Sequence, residues 1–255
     1  MPKVIILRAP GTNCDQETAY AFQLAGAGSV EILHVNRVLE KPDVLDSARI
    51  LCIPGGFSFG DDIAAGRILA SKLVNHLVDE LRRFCECDKL ILGICNGFQV
   101  LLKSGLLFRD LDSEASAATL TWNQKPLYTD RWVRLKTEQS DCVFLRNIDH
   151  MYLPIAHAEG RFVIRDELTK KKMQEQRQLA LRYLSEDNPN GSDFDVAGVC
   201  DATGRIFGLM PHPERHLDAL HHPQWTRRQM PSSLQNNLPA GDGLSIFQNA
   251  VTYFR

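Results

Sequence analysis

Leu90-Ile91-Leu92-Gly93-Ile94-Cys95-Asn96-Gly97-Phe98-Gln99 decides the fold, because an apolar run ends there in a cysteine flanked by glycines. The pattern predicts a buried strand that turns abruptly into a helix, with Cys95 at the apex. Gly93 and Gly97 would permit the strained turn and a close backbone approach that a side chain would block. A helix N-terminus stabilises a thiolate through its unpaired N–H groups and its dipole. The stretch therefore predicts a nucleophile, whereas a cysteine without such glycines is more often a small buried hydrophobe.

Length, charge and cysteine usage exclude several classes of protein. The 255 residues fit one α/β domain spanning 1–255, and 29 basic against 31 acidic groups leave a net charge of −2, without a nucleic-acid footprint. No apolar run approaches the ~18 residues that a membrane-spanning helix needs. The seven cysteines show no disulfide framework, and Met1–Val4 runs into a predicted strand without a signal peptide. We therefore expect free thiols in a reducing cytoplasm, and neither nucleic acid nor membrane as a partner.

The first half of the chain alternates between strand and helix patterns. The predicted strands are Lys3–Arg8, Val30–Val35, Ile50–Ile53 and Lys89–Gly93, and the predicted helices are Asp15–Ala25, Asp62–Phe84 and a segment through Leu102. Such alternation indicates βαβ units, and hence an open, mostly parallel sheet with helices on both faces. Ligands of such sheets bind beyond the carboxyl ends of the strands, where we expect the loops Pro10–Asp15, Pro54–Asp61 and Cys95–Gln99.

The second half predicts a mixed or antiparallel extension of the same sheet. Its short strand patterns, separated by turn residues, are Arg131–Lys136, Tyr152–Ile155, Leu179–Leu184, Val196–Cys200 and Ile206–Met210. Residues 224–243 are rich in proline, glutamine and asparagine with little apolar periodicity, which predicts a surface loop. Leu244–Phe254 is predicted to be an amphipathic helix. The predicted fold class is therefore α/β.

A histidine and a glutamate follow the last predicted strand in Pro211-His212-Pro213-Glu214-Arg215. Two residues apart in extended backbone, the His212 and Glu214 side chains leave the chain on the same side. The carboxylate could then hold the tautomer of the imidazole and support its positive charge. A histidine in a polar loop is more often a surface group, but the flanking prolines and the preceding strand favour a catalytic pair. The order cysteine, histidine, glutamate argues against an esterase of the α/β-hydrolase type.

Pro54-Gly55-Gly56-Phe57-Ser58-Phe59-Gly60-Asp61 is the candidate oxyanion loop. Consecutive glycines after a strand let backbone N–H groups point into a site. Together with the N–H of Asn96, they could bind the negative oxygen of a tetrahedral intermediate, and one such donor is worth ~3 kcal/mol of barrier. A Gly-Gly pair alone would predict only a turn.

The sequence predicts neither a phosphate loop nor a metal site. No Gly-x-x-x-x-Gly-Lys-Ser/Thr pattern occurs, and Cys85 and Cys87 lack the second cysteine pair of a zinc site. The histidine-rich segment 216–222 is predicted to be a solvated loop, and Trp122 is predicted to be a packing residue.

Three motifs resemble class I (triad) glutamine amidotransferases: Gly93–Gln99, Pro54–Asp61 and Pro211–Arg215. Three more, Pro10-Gly11-Thr12-Asn13-Cys14-Asp15, Pro154–Gly160 and Asn188–Ser192, resemble the glutaminase subunits of phosphoribosylformylglycinamidine synthases, or the equivalent region of the fused enzymes. The motifs occur in the family's order and span nearly the whole chain. The resemblance implies a class I glutaminase-like fold with a flavodoxin-like core.

The resemblance also implies a reaction. Cys95 would attack the side-chain amide of glutamine, giving a γ-glutamyl thioester and ammonia, while His212 moves the proton and Glu214 orients His212. The ammonia would pass to an ATP-using synthetase subunit that makes formylglycinamidine ribonucleotide in de novo purine biosynthesis. ATP and magnesium are expected on that subunit and no cofactor in this chain. A third small subunit is expected as well.

The same resemblance implies the residues around the substrate. The Gly55–Phe57 backbone and the Asn96 N–H would stabilise the oxyanion. Gln99 would lie near the amino-acid end of glutamine, and His157 and Glu159 would border the same pocket.

Two alternatives stay open on the sequence. Another triad glutaminase serving a different synthetase would share the triad but lack the Asn13-Cys14-Asp15 and Ala156–Gly160 patterns. A non-enzymatic redox sensor or interaction module could share the Cys95 turn but would not need a His-x-Glu after a late strand. The chain is also longer than compact members around Asp112–Arg131 and Pro223–Gly241, which leaves the docking of subunits open.

Overall fold

The computed structural model describes residues 1–109, 111, 116–227 and 239–255. The strands within these ranges are β1 (Lys3–Arg8), β2 (Ser29–His34), β3 (Ile50–Ile53), β4 (Leu90–Ile94), β5 (Ala118–Thr121), β6 (Thr129–Thr137), β7 (His150–His157), β8 (Arg161–Ile164), β9 (Leu181–Tyr183), β10 (Val196–Cys200) and β11 (Ile206–Leu209). The α-helices are α1 (Asp15–Leu24), α2 (Val35–Glu40), α3 (Arg67–Glu86), α4 (Asn96–Lys103), α5 (Glu167–Glu175) and α6 (Leu244–Thr252).

Nine of these strands form one sheet in the order β2-β1-β3-β4-β11-β10-β9-β6-β7. Neighbours from β2 to β11 are parallel, and neighbours from β11 to β7 are antiparallel. Strands β5 and β8 form a separate antiparallel pair. The predicted α/β class with an antiparallel extension is confirmed, but parallel pairings make up half of the sheet rather than most of it.

The parallel half is built from strands and helices with complementary apolar surfaces. Every residue of β3 and β4 is buried, as expected for parallel strands covered on both faces. Helix α3 buries one stripe at helical spacing, which includes Leu69, Leu73, Leu77 and Leu81. This packing brings the carboxyl ends of β1, β3, β4 and β11 to one edge of the sheet, where the loops with candidate functional residues lie.

Helix α3 differs from its prediction because it begins at Arg67 rather than at Asp62. The preceding loop takes left-handed backbone conformations that no helix can accommodate, at Phe59, Gly60, Asp61, Ile63 and Gly66.

No pattern in the sequence predicted α2, α5, β5 or β8. Helix α5 buries only Thr169 and Met173, so it lacks the apolar stripe that marks a helix in the sequence. Of the predicted surface loop, residues 228–238 lie outside the described ranges, while Trp225–Arg227 forms a short 3₁₀ turn.

The Asn188–Ser192 turn supports the loop that follows β7. Asn190 Nδ2 donates a hydrogen bond to the Gly160 carbonyl at 2.8 Å, and Ser192 Oγ accepts one from the Phe162 N–H at 3.0 Å. All seven cysteines are free thiols. Among the described residues, no helix combines the length and apolar character needed to cross a membrane.

Candidate active site

Cys95 lies at a strained turn between β4 and α4. Its φ of 52° and ψ of −106° fall outside the regions that side chains favour. Its N–H donates to the Leu209 carbonyl at 2.8 Å, which ties the turn to β11. A Cβ on Gly97 would lie 1.8 Å from the Ile53 carbonyl oxygen, so only glycine allows this approach. The thiol is 6% exposed and lies 3.9 Å from the Ala156 carbonyl oxygen.

His212 and Glu214 meet just beyond β11. Nδ1 of His212 lies 2.6 Å from Oε1 of Glu214, and both side chains are buried. Burial opposes a positive charge on the imidazole, but the Glu214 carboxylate and the Cys95 sulfur outweigh it and hold the pKa of His212 well above its usual value. Nε2 has no hydrogen-bond partner among the described residues, which leaves this nitrogen for Cys95 and a substrate. The ring lies against Gly55, where a Cβ would stand 2.7 Å from its Cε1 atom.

A second thiol, that of Cys14, lies near Nδ1 of the same ring. Its Sγ is 4.0 Å from Nδ1 of His212 and accepts a hydrogen bond from Nη2 of Arg215 at 3.2 Å. Arg215 also pairs with Glu17, at 3.0 Å between Nε and Oε1. Burial raises the pKa of Cys14 to about 11, and the hydrogen bond with His212 only partly opposes this. Cys14 is therefore a neutral thiol at physiological pH.

The loop after β3 supplies backbone N–H groups beside Cys95. The N–H of Phe57 donates to the Gly11 carbonyl at 2.9 Å and is thus already bonded within the protein. Asn96 is the first residue of α4, so its N–H has no acceptor within the helix. The N–H of Asn96 therefore suits an oxyanion better than that of Phe57, and Gly56, which lines a cavity together with Cys95, is the candidate that the loop after β3 contributes.

Cys95 lines two adjoining cavities. The smaller cavity has a volume of about 30 Å³, and its lining includes Asn13, Cys14, His212 and Arg215. The larger has a volume of about 230 Å³, and its further walls include Asp61, Gln99, Trp122, His157 and Glu159. Besides Cys95, four residues line both cavities and form the boundary between them: Gly56, Phe57, Tyr128 and Ala156. The nucleophile candidate thus lies between acid–base groups on one side and room for a small molecule on the other.

Hydrogen bonds fix the polar side chains of the larger cavity. Asn96 Nδ2 donates to Asp61 Oδ1 at 2.9 Å and to Gln99 Oε1 at 3.0 Å. Asn96 Oδ1 accepts from the Ser58 N–H at 3.1 Å, and Gln99 Nε2 donates to the Glu159 carbonyl at 2.7 Å. Burial raises the pKa of Asp61. The network joins the loop after β3, the start of α4 and the loop after β7 into one wall.

His157 is held in its neutral form. Its Nδ1 lies 3.1 Å from Oδ1 of Asn123, which also accepts the Gly160 N–H at 3.1 Å. Because Asn123 Oδ1 is an acceptor, Nδ1 of His157 carries the ring proton. Burial lowers the pKa of His157 to about 3. His157 therefore lines the larger cavity as an uncharged group.

Several residues of this site were missed or misread in the sequence. The prediction that Trp122 is a packing residue is wrong, because its side chain is 56% exposed at the rim of the larger cavity. Tyr128 stacks on Phe57 with ring centroids 6.5 Å apart, and no sequence pattern marks it. Asp61 and Arg215 lie within motifs that the sequence marks. Both make hydrogen bonds with residues from distant segments of the chain, so no local pattern predicts these contacts.

The chain is similar along its whole length to known glutamine amidotransferases. Residues 1–254 match the model of the CobB/CobQ-like glutamine amidotransferase domain. The chain is 42% identical to phosphoribosylformylglycinamidine synthase subunit PurQ of Dehalococcoides mccartyi, over 99% of this chain and 98% of that one. It is 40% identical to the protein of the same name from Methanococcus maripaludis, over 100% and 98%.

A solved structure has the same fold along the whole chain. It is PurLQS from Thermotoga maritima, with a TM-score of 0.75, 30% identity and coverage of 100% of this chain and 99% of that one. The family model, the relatives and the solved structure all indicate the same family of glutamine amidotransferases. The chain belongs to the family of phosphoribosylformylglycinamidine synthase subunit PurQ proteins, within the CobB/CobQ-like glutamine amidotransferases.

Proposed function

We propose that this chain hydrolyses glutamine through Cys95 and supplies the ammonia to the synthetase subunit of phosphoribosylformylglycinamidine synthase. The observation that carries the proposal is that a strained, buried thiol and His212 line the same small cavity, while Nδ1 of His212 lies 2.6 Å from Oε1 of Glu214. A redox sensor or interaction module would not need such a pair. The PurQ relatives, similar over almost their whole length, favour this synthase over a different amidotransferase.

In the first half-reaction, the Cys95 thiolate, paired with the His212 imidazolium, attacks the side-chain carbonyl carbon of glutamine. The oxygen becomes negative and accepts hydrogen bonds from the Gly56 and Asn96 N–H groups. The C–N bond then breaks, and Nε2 of His212 gives its proton to the leaving nitrogen. The products are ammonia and a γ-glutamyl thioester.

In the second half-reaction, water attacks the thioester and gives a proton to Nε2 of His212. The C–S bond breaks, which releases glutamate and restores the Cys95 thiolate. Throughout, Glu214 holds the Nδ1 proton and supports the charge of the imidazolium, so that Nε2 stays the nitrogen that exchanges protons. His157 cannot replace His212 as base, because its pKa of about 3 leaves it a very weak one.

The amino-acid end of glutamine is proposed to bind in the larger cavity. The carboxylates of Asp61 and Glu159 suit its ammonium group, although the half-buried Lys103 offsets part of their charge. Gln99 uses its amide to hold the wall through Asn96 and the Glu159 backbone, so we assign it a positioning role beside the substrate.

The partner is proposed to be a synthetase subunit that carries ATP and magnesium, with a third small subunit in the assembly. The related Thermotoga maritima structure is named PurLQS, which denotes more than the one subunit. Exposed aromatic side chains stand around the mouth of the larger cavity, at Phe57, Trp122 and Tyr128. This rim is where we expect the partner to contact the chain, next to the point where ammonia forms.

The test is glutamate release from glutamine, measured for the chain alone and with the synthetase subunit. Cys95→Ala should abolish release, while Cys87→Ala, which alters an exposed thiol, should leave it unchanged. Ammonium salts should restore product formation by the complex that contains Cys95→Ala. Retained glutamate release in Cys95→Ala would refute the mechanism, and failure of ammonia to rescue the complex would refute the division of labour between subunits.

A further inference from the structure

Three side chains with metal-binding atoms meet beside the nucleophile: Cys14, His212 and Glu214. Their sulfur, nitrogen and oxygen atoms lie within 4.8 Å of one another, and all three side chains are buried. Cys14 and His212 stand 198 positions apart in the chain, so no ligand spacing in the sequence marks the group. The proposed amide hydrolysis uses His212 and Glu214, and it leaves the thiol of Cys14 without a chemical role.

We propose that these three side chains form a binding site for Zn²⁺, and that the bound ion reversibly switches off the triad. The donor set contains one thiolate, one imidazole and one carboxylate, which are the three ligand types that zinc takes in proteins. With two anionic ligands and a neutral imidazole, the bound site has no net charge. The binding step stands on the geometry alone, whereas the inhibition rests on the proposed function.

Small movements convert the present geometry to that of a tetrahedral zinc site. Zinc–sulfur and zinc–nitrogen bonds of ~2.3 and ~2.05 Å place the two donor atoms roughly 3.6 Å apart. Cys14 Sγ and His212 Nδ1 are 4.0 Å apart, so the sulfur approaches by about 0.4 Å. Nδ1 and Glu214 Oε1 are 2.6 Å apart and must separate by roughly 0.7 Å, which a rotation of the carboxylate supplies.

The surroundings of the cluster also favour a ligand. Oε2 of Glu214 is fully buried, and it has no hydrogen-bond partner among the described residues. Cys14 and His212 also line the cavity of about 30 Å³, which has room for the single water that a zinc site with three protein ligands takes as its fourth ligand. Nη2 of Arg215 already donates to the Cys14 sulfur at 3.2 Å, and an N–H donor to a metal-bound thiolate is a common outer-shell contact.

The position of the ion explains why it would inhibit. Zinc replaces the proton on Nδ1 of His212 and the thiol proton of Cys14, and both protons leave to solvent. The remaining ring proton is then on Nε2, and the ring cannot release it without becoming an imidazolate. His212 can therefore neither protonate the leaving nitrogen nor accept a proton from water, although Cys95 itself is untouched.

The binding test uses Co²⁺ as a spectroscopic substitute for zinc on the full chain. One equivalent should produce d–d bands of a four-coordinate site and a thiolate-to-cobalt charge-transfer band. The charge-transfer band should persist in Cys95→Ala and in the exposed control Cys87→Ala, and it should disappear in Cys14→Ala and in the isosteric Cys14→Ser. X-ray absorption on the zinc-loaded wild-type chain should show a single sulfur ligand, a readout that needs no variant to fold.

The inhibition test measures glutamate release against free Zn²⁺, each variant being referred to its own uninhibited rate. Cys14→Ala should raise the half-inhibitory concentration at least tenfold, and a chelator should restore wild-type activity. Loss of the cobalt band in Cys95→Ala with its retention in Cys14→Ala would place the metal on the catalytic thiol and overturn the proposal. Two sulfur ligands, or no stoichiometric cobalt band, would overturn it as well, and none of these spectra depends on the activity.

Discussion

Two turns of this molecule have the same plan and different chemistry. Strands β1 and β4 are both parallel strands with β3 between them, and each leads into a helix whose N-cap is a cysteine, Cys14 for α1 and Cys95 for α4. Both thiols are buried, and both line the small cavity beside the imidazole. Cys14 has φ −100° and ψ 10°, whereas Cys95 has φ 52° and ψ −106°. The strained turn is what distinguishes the nucleophile candidate.

The comparison shows that a helix N-terminus does not by itself activate a thiol. Cys14 has the helix dipole, the Arg215 guanidinium and a hydrogen bond with His212, and burial still raises its pKa to about 11. The two thiols also differ in which ring nitrogen they can use. Cys14 lies near Nδ1, which Glu214 already holds, whereas Nε2 is left for Cys95.

The largest expected effect separates the two thiols directly. Cys95→Ala should lower glutamine-dependent kcat by at least about 10³-fold, since removal of a nucleophile leaves only substrate binding and the oxyanion site. Cys14→Ala removes no atom from the proposed reaction and should retain at least a tenth of the activity. Steady-state glutamate release measures both, with unfolding midpoints to show that each variant is folded. Equal losses of kcat in Cys95→Ala and Cys14→Ala would show that the two thiols do not differ in their roles.

Glu214→Gln should have the next largest effect, because it removes the charge that fixes the tautomer of His212. The loss in kcat should be about 10²–10⁴-fold, as for other triads whose acid is replaced by its amide. Cobalt binding should weaken in the same variant, since Glu214 is one of the three proposed metal ligands. A variant with near-normal kcat would show that Glu214 is not the orienting acid.

The same variant makes a prediction about the pH dependence of stability. The folded-state pKa of His212 is raised, so its charge stabilises the fold fully below the unfolded pKa of ~6.5, and this stabilisation is lost as pH rises through the folded-state pKa. Removing the Glu214 charge should therefore destabilise the protein most below pH ~6.5 and less at alkaline pH. The unfolding midpoints of the wild type and of Glu214→Gln, measured across this pH range, should differ less as the pH rises. A difference that grows with pH would contradict a raised folded-state pKa of His212.

The strained turn at Cys95 can be tested through its supporting glycine. Gly97→Ala places a Cβ 1.8 Å from the Ile53 carbonyl oxygen and should cost roughly 3 kcal/mol or more of unfolding free energy. Gly60→Ala is the matched control, because Gly60 has φ 73° but its Cβ would meet no atom closer than 3.7 Å. Its cost should be only ~1–2 kcal/mol, the strain of a left-handed residue. Denaturant unfolding compares the two, and similar costs would show that crowding at Gly97 is not what shapes the turn.

The sequence was informative wherever one local pattern determined the structure. Continuous apolar runs predicted β3 and β4, and the glycines around Cys95 predicted the turn between β4 and α4. The sequence was uninformative where contacts between distant segments determine the structure. The start of α3 depends on a loop that bonds to the network around Asn96, and α5 lacks an apolar stripe. The contact between Cys14 and His212 joins positions 198 apart, which no spacing rule contains.

The last prediction concerns the reactivity of Cys14, the thiol that is not activated. With its pKa raised to about 11, Cys14 is about 10⁻³ thiolate at pH 8, whereas a thiol of ordinary pKa is about one-quarter thiolate. Since the thiolate is the nucleophile, iodoacetamide should alkylate Cys14 at least a hundredfold more slowly than the exposed Cys87. The rate at Cys14 should rise about tenfold per pH unit between pH 8 and 10, because the thiolate fraction does so. Mass spectrometry of alkylated peptides gives these rates. Comparable labelling of Cys14 and Cys87 at pH 8 would show that burial does not hold the Cys14 thiol in its neutral form.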